Sequence, residues 1–433
     1  MLNIHRAYFY IFFVSVLGLF LAPCLLPSID ELCLFAFLII ALIDMAFNRC
    51  WRKYKLMFLL LGVMAFYLVY SIVALHYNIL KAQVNDFILQ SKPLIAFSVS
   101  YAIAPKFTAN EKWLLKKTCI FLSFLAFFVI AAGMDVYQSL IFHIYYGGLV
   151  CLGCALVYLL MSYDESNPRA YSRRDLMWAS VILLLGLICT RSKYYGFAVL
   201  AFYMLYVYRP GTVNFKSARN IAIAATAFAL VIIVAWKKIA YYYILGNSAT
   251  FDPDEMMAFA RPVLFGGMFL VLGDHLLLGS GLASYATFSS GTGVNYSELY
   301  SKYGIDMVWG LSPTMCDFIA DTFYPELAQF GLLGIFFFGY FCWWIWRKFR
   351  IVMRTHHYQL FAIGVMGISF LAIDGTSGCT VLQAAGELTM AVMGIVAAMA
   401  NTVSKEEAKA LLARPATEFY DNKKEKLGYG NKF

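Results

Sequence analysis

Again and again this chain is apolar for the width of a bilayer. A helix rising 1.5 Å per residue needs about 20 apolar residues to cross a hydrocarbon core of roughly 30 Å. Stretches of that kind fall near 8–26, 29–47, 56–76, 87–104, 118–134, 141–162, 176–190, 194–208, 220–236, 326–346, 359–374 and 382–402. Only helices and closed barrels satisfy every backbone polar group inside lipid, and runs of this length exclude strands. The expected fold is therefore all-α: a polytopic membrane bundle of about 12 transmembrane helices. Composition agrees, since 62% of the 433 residues are hydrophobic and 14% charged, against about 25% charged in a soluble domain. The run after Arg6 lacks a small-residue cleavage site and reads as the first span rather than a signal peptide.

Orientation follows from the cations. With the N-terminus placed in the cytoplasm and sides alternating, 26 of the 34 Lys and Arg fall inside and 8 outside. That asymmetry is the positive-inside rule. It also accounts for the net charge of +9 without nucleic acid. The expected organisation is helices 1–9 over 1–236, a large outer loop over 237–325 with a surface helix near 256–278, helices 10–12 over 326–402, and a loosely ordered cytoplasmic tail over 403–433. Both termini are cytoplasmic on this reading. The loop, about 90 residues long, is far too long for a turn and is the expected working part. The ten cysteines lie mostly in apolar runs. Cys151 and Cys154 there read as small apolar residues rather than a redox pair.

The outer cations are Lys81, Lys92, Arg191, Lys193, Lys237, Lys238, Arg261 and Lys302. Topology selects against each, so each needs a local reason. Arg191 and Lys193 interrupt two apolar runs in Thr190-Arg191-Ser192-Lys193-Tyr194; they either snorkel to the interface or meet an anion. Arg261 precedes Pro262 at the start of the loop helix, where a cation is disfavoured by the helix dipole. An anionic group docked on both would relieve that mismatch, because guanidinium and helix-start N–H groups are each good phosphate donors. The alternative is an ordinary exposed arginine.

Asp306, Asp317, Asp321 and Glu326 gather at the other end of the loop, with Asp317 and Asp321 spaced to share a helix face. Such a carboxylate either takes a proton from an attacking hydroxyl or holds a cation. No hard-cation cluster of carboxylates is present in the loop, so no metal and no other cofactor is expected. His143 and His275 are lone histidines of the kind usually found at interfaces.

Thr190-Arg191-Ser192-Lys193, Arg261 with the loop helix and Gly279-Ser280-Gly281, and Leu327-Ala328-Gln329-Phe330-Gly331-Leu332-Leu333-Gly334 after a large outer loop together resemble the O-antigen polymerase and ligase superfamily. The resemblance covers about 176–346. Ligases of that superfamily carry a His about eleven residues before the Gly-x-x-Gly; here the position holds Ala320, beside Asp321, which points to the Wzy-type polymerase rather than the ligase.

The resemblance implies a bacterial inner-membrane glycosyltransferase that joins undecaprenyl-diphosphate-linked oligosaccharides into O-antigen or capsule. Membrane lipid and a chain-length-determining membrane protein are its implied partners. Arg191, Arg261 and Asp321 become the expected catalytic residues, with the arginines on the diphosphate and Asp321 as base. Lys193, Tyr194, Asp317, Tyr324 and His275 become the expected substrate contacts, and Tyr and Ser residues of 279–303 the expected sugar contacts. A ligase, or a twelve-helix carrier or flippase of lipid-linked glycan, remains the alternative reading; a carrier should show two related halves, and no repeat is visible.

Overall fold

A computed structural model describes residues 3–208, 236, 259–291 and 295–413. Fourteen α-helices occur among them and no strand, only one isolated bridge between Ser312 and Met315. They are α1 (Ile4–Cys24), α2 (Ile29–Asn48), α3 (Lys55–Tyr70), α4 (Leu80–Ile103), α5 (Ala109–Ala131), α6 (Met134–Ile141), α7 (Ile144–Met161), α8 (Arg173–Leu185), α9 (Ser192–Phe202), α10 (Ala260–Asp274), α11 (Glu298–Lys302), α12 (Gly331–Arg354), α13 (Tyr358–Asp374) and α14 (Ala384–Ala413).

Six stretches are long and apolar enough to cross a membrane: Ile4–Pro23, Trp51–Leu75, Ala109–Ala131, Ile144–Met161, Tyr324–Arg354 and Ala384–Ser404. They mark a membrane protein. The other runs diverge from the hydropathy reading for visible reasons. α2 carries Asp30, Glu31 and Asp44. Helices α8 and α9 have 13 and 11 residues, and α13 has 17. The span expected at 220–236 lies outside the described residues apart from helical Trp236.

At the centre stands α7, buried from Gly147 through Met161. Its Gly147, Gly148, Gly153, Cys151, Cys154 and Ala155 are small, and small residues let helix backbones approach without a hydrophobic driving force. Cys151 and Cys154 are free and buried, as expected of apolar thiols. The same device seats α14 on α4: a Cβ at Gly394 would collide with the Phe97 carbonyl.

Three expectations need correction. Lys92 is not in an outer connection; α4 begins at Leu80, seven residues earlier than hydropathy suggests, and buries Lys92 beside Asp30 (2.6 Å) and Glu31 (2.8 Å). α14 runs on to Ala413, so the tail expected from 403 begins helical, through Ala413. The apolar run expected at 326–346 begins as a tight 3-10 helix, Tyr324–Phe330, and becomes α12 only at Gly331 (φ 59°), whose backbone lies against that of Gly279.

The loop region has a core of its own, built from Leu264, Val271, Tyr285, Leu299, Tyr300, Ile305, Leu311 and Ile319. It is pinned to the bundle by α4. Asp86 accepts from the Ala283 N–H (2.8 Å) and the Thr287 hydroxyl (2.5 Å), and the Asn78 amide donates to the carbonyls of Ala283 (2.8 Å) and Asn295 (2.6 Å).

Candidate functional site

One end of the bundle gathers the corner 143–149, the 191–193 step, the start of α10, the turn 317–321 and the loop 376–383 around a cavity of about 750 Å³. Each of these segments is assigned by the charge pattern to the same side of the membrane. Arg191, Lys193, Arg261, Asp317 and Asp321 all line it.

The 191–193 step arises because α8 tightens into a 3-10 turn at Gly186–Cys189 and Thr190 enters the left-handed region (φ 50°), reversing the chain. Arg191 then stands at the N-cap of α9, exposed, with Nη2 2.7 Å from His143 Nε2. The His143 Nδ1 meanwhile lies 3.2 Å from the Tyr145 N–H at the start of α7. A neutral imidazole has one ring lone pair, so only one of these contacts is a hydrogen bond at a time. Burial, then the charges of Arg191 and Lys193, hold the imidazole below the ordinary histidine range and keep it neutral. Arg191 has no carboxylate partner among the described residues, where the ion pairs involve other cations.

Lys193 is fixed far more firmly. Its Nζ lies 2.7 Å from Asp374 Oδ1, donates to the Ser377 carbonyl (3.0 Å) and sits 3.9 Å from the centre of the Tyr145 ring. Asp374 is the last residue of α13 and 1% exposed. A carboxylate at a helix C-terminus opposes the dipole, and the neighbours compensate. The Tyr145 hydroxyl donates to Oδ1 (2.7 Å) and the Thr380 N–H to Oδ2 (3.0 Å). Both oxygens of this carboxylate are thus engaged, Oδ1 twice and Oδ2 once, which suits a positioning role.

Across the cavity Arg261 Nη2 meets Asp321 Oδ2 at 2.6 Å, with both side chains about a third to a quarter exposed. Burial pushes the Asp321 carboxyl above its ordinary range, against the pull of Arg261 and Lys193. Asp317 and Asp321 do not share a helix face: 317–320 form a turn, with the Asp321 N–H bonded to the Phe318 carbonyl (3.2 Å). The turn nonetheless presents both to the cavity, Asp317 exposed and Asp321 half-buried.

Three expected contacts lie elsewhere. Tyr194 is buried and donates to the Leu183 carbonyl (2.9 Å), locking α9 on α8. Tyr324 donates to the Ala372 carbonyl (2.7 Å). His275 pairs with the Tyr77 hydroxyl (3.1 Å). The 279–303 stretch is likewise spent on its own packing, since Tyr285 donates to the Leu264 carbonyl (2.7 Å) and Tyr300 accepts from the Ala286 N–H (2.7 Å); among its described residues Phe288 alone lines the cavity.

Sequence reasoning missed His143 as a partner of Arg191, and Tyr145, Asp374 and Gln383 altogether. A signal was available in Ile373-Asp374-Gly375-Thr376-Ser377-Gly378-Cys379-Thr380, a polar step with a carboxylate between two apolar runs. Among the described residues no group of three His, Cys, Asp or Glu is placed to hold a metal. No protein-family model and no curated protein sequence matches the chain.

Proposed function

We propose that this membrane protein is a glycosyltransferase that polymerises undecaprenyl-diphosphate-linked oligosaccharides on the periplasmic face of a bacterial inner membrane. The finer topology belongs to the same proposal: about twelve spans, a large periplasmic loop and both termini in the cytoplasm. The observation that carries it is Arg191, exposed in a cavity with Arg261, Lys193 and Asp321 and without a carboxylate partner among the described residues. A diphosphate leaving group gains negative charge as its bond to the sugar breaks, and preorganised guanidinium groups stabilise that charge.

The ion pair supplies the base. When the diphosphate draws Arg261 away from Asp321, the carboxylate loses its counter-charge in a half-buried place and its proton affinity rises. It then takes the proton of the acceptor hydroxyl as that oxygen bonds to the anomeric carbon and the diphosphate departs with the electron pair. Lys193, tied to Asp374, holds the 374–380 loop against the corner at Tyr145. Ala320 lines the cavity at the position where ligases carry His, which supports the polymerase over the ligase.

The test is in vitro polymerisation by purified protein with the Arg191→Lys and Arg261→Lys variants. Loss of the planar fork should cut turnover by about 10²–10³-fold at unchanged protein level. Parental chain lengths from both variants would sink the assignment. Deletion in the host separates the carrier reading, since a polymerase null leaves single repeat units on the surface and a flippase null leaves none.

A further inference from the structure

A second cavity, about 260 Å³, opens beside the first, and Tyr146, Leu149 and Gln383 line both. Its other walls are apolar: Leu19, Ala22, Pro23, Pro27 and Phe142. Its polar face is Asp30, 8% exposed at the start of α2. Lys92, itself 2% exposed, holds Oδ2 at 2.6 Å, while Oδ1 has no hydrogen-bond partner among the described residues. One turn below Gln383 on α14, Glu387 is buried at 1% exposure and neither of its carboxylate oxygens has a partner there.

We propose that this smaller cavity is a monosaccharide subsite, which receives one ring of the glycan while the diphosphate occupies the larger cavity. The inference rests on the glycan-transfer reading and deepens it. Three features select the occupant. On the wall itself Asp30 Oδ1 offers an acceptor without a donor among the described residues, and an unmet buried acceptor is costly, so the occupant must donate hydrogen bonds. Asp30 and Glu31 both pair with one ammonium, that of Lys92, so this wall has no spare cation for a phosphate and leaves it to the arginines next door. Tyr146 and Phe142 supply flat apolar faces for the C–H side of a ring.

A prenyl tail brings no donors and a diphosphate brings the wrong charge. A neutral hydroxyl-bearing ring brings both what the acid needs and what the aromatic walls need. Gln383, whose side-chain amide makes no hydrogen bond among the described residues, stands on the wall common to both cavities. It is placed to bond the ring where it joins the rest of the substrate. The subsite also supplies the sugar contacts that residues 279–303, buried in their own network, do not.

The experiment uses the full-length protein in lipid nanodiscs and saturation-transfer NMR. Its probes are the methyl glycosides of glucose, galactose, rhamnose and N-acetylglucosamine. At least one glycoside should receive saturation from the parent protein, and Gln383→Leu and Tyr146→Ala should each weaken that binding about tenfold, the size of one lost contact of 1.4 kcal/mol. Asp30→Asn should weaken it too, but that variant also loosens Lys92, so the two wall variants carry the test. Absence of transfer to the parent protein, or equal binding by both wall variants, overturns the subsite. Arg191→Lys separates this outcome from the parent reading: it should bind the glycoside like the parent yet fail to polymerise. If it polymerises normally while Gln383→Leu loses the glycoside, the subsite stands and the arginine mechanism falls.

Discussion

Removing Lys193 is the sharpest test of how the site is held together. Lys193→Met keeps the length of the stem but strips Asp374 of its counter-charge, leaving a carboxylate 2% exposed with only the Tyr145 hydroxyl and the Thr380 N–H as donors. Breaking a buried pair from one side costs about 3–5 kcal/mol. Because the Lys193 side chain is itself 16% exposed, the lower end, about 3 kcal/mol, is expected. The lost contact with the Tyr145 ring belongs to the same figure. Lys302→Met provides the comparison, since its pair with Asp274 is 45% and 50% exposed and should be worth about 0–1 kcal/mol. The assay is reversible denaturant unfolding in mixed micelles, run as a double-mutant cycle with Asp374→Asn. The double variant should recover about 2 kcal/mol relative to the sum of the singles. If Lys193→Met unfolds at the same denaturant concentration as Lys302→Met, the claim that this pair is buried and structural is wrong.

Asp321→Asn removes the Arg261–Asp321 ion pair, so undecaprenyl diphosphate should bind more tightly while turnover falls; weaker binding would show the ion pair to be structural alone. The acid limb of the rate–pH profile should lie above the ordinary aspartate value of about 3.9, because burial raises the Asp321 carboxyl and the base works only when deprotonated. Arg261→Gln removes the charge that holds this carboxyl down, so any residual activity should show the limb at higher pH, and an unmoved limb removes Asp321 as base. EDTA should leave polymerisation at its starting rate, whereas loss restored by Mg or Mn would make Asp317 and Asp321 metal ligands. For topology, a Cys placed at exposed Met307 should label from outside and one at exposed Lys117 only after permeabilisation; the opposite pattern defeats the charge-based orientation.

What was legible in the sequence follows from what each signal measures. Hydropathy sees apolar mass, so it located the helices, but it misjudged polar residues that tertiary partners satisfy. The first turns of α4 looked too polar to be helical membrane structure because Gln83, Asp86, Gln90 and Lys92 are there. The partners of Asp86, Gln90 and Lys92 lie far away in the chain, at Ala283 and Thr287, Glu326 and Asp30, while Gln83 donates to the nearby carbonyls of Ser71 and Asn78. The cavity's arginines were visible for a different reason, as cations on the side that topology disfavours. Asp374 and Tyr145 gave no comparable violation, since an aspartate at a helix end and a tyrosine near an interface are each ordinary alone. Only the pairing of Lys193 with both, across 184 residues to Ser377 in the same loop, makes them part of the site. Tyr194 and Tyr324, expected as substrate contacts, are turned by the local geometry onto backbone carbonyls instead.

Charge balance then orders events in the cavity. Among the described residues three cations, Arg191, Lys193 and Arg261, face three carboxylates, Asp317, Asp321 and Asp374, so these six groups are formally neutral together and give no excess of charge to attract an anion at long range. A diphosphate must therefore win its cations by exchange rather than by occupying spare ones. Lys193 is the worst candidate, because leaving Asp374 would strand a buried charge. Arg261 can leave, since Asp321 is part-exposed and can take up a proton in return. Arg191 needs no exchange at all; its partner is a neutral imidazole that regains its bond to the Tyr145 N–H when the guanidinium moves away. Binding should thus begin at Arg191 and end at Arg261, and the base at Asp321 is released only in the second step, when the donor is already seated. Such an order keeps Asp321 paired until there is a leaving group for Arg261 to hold.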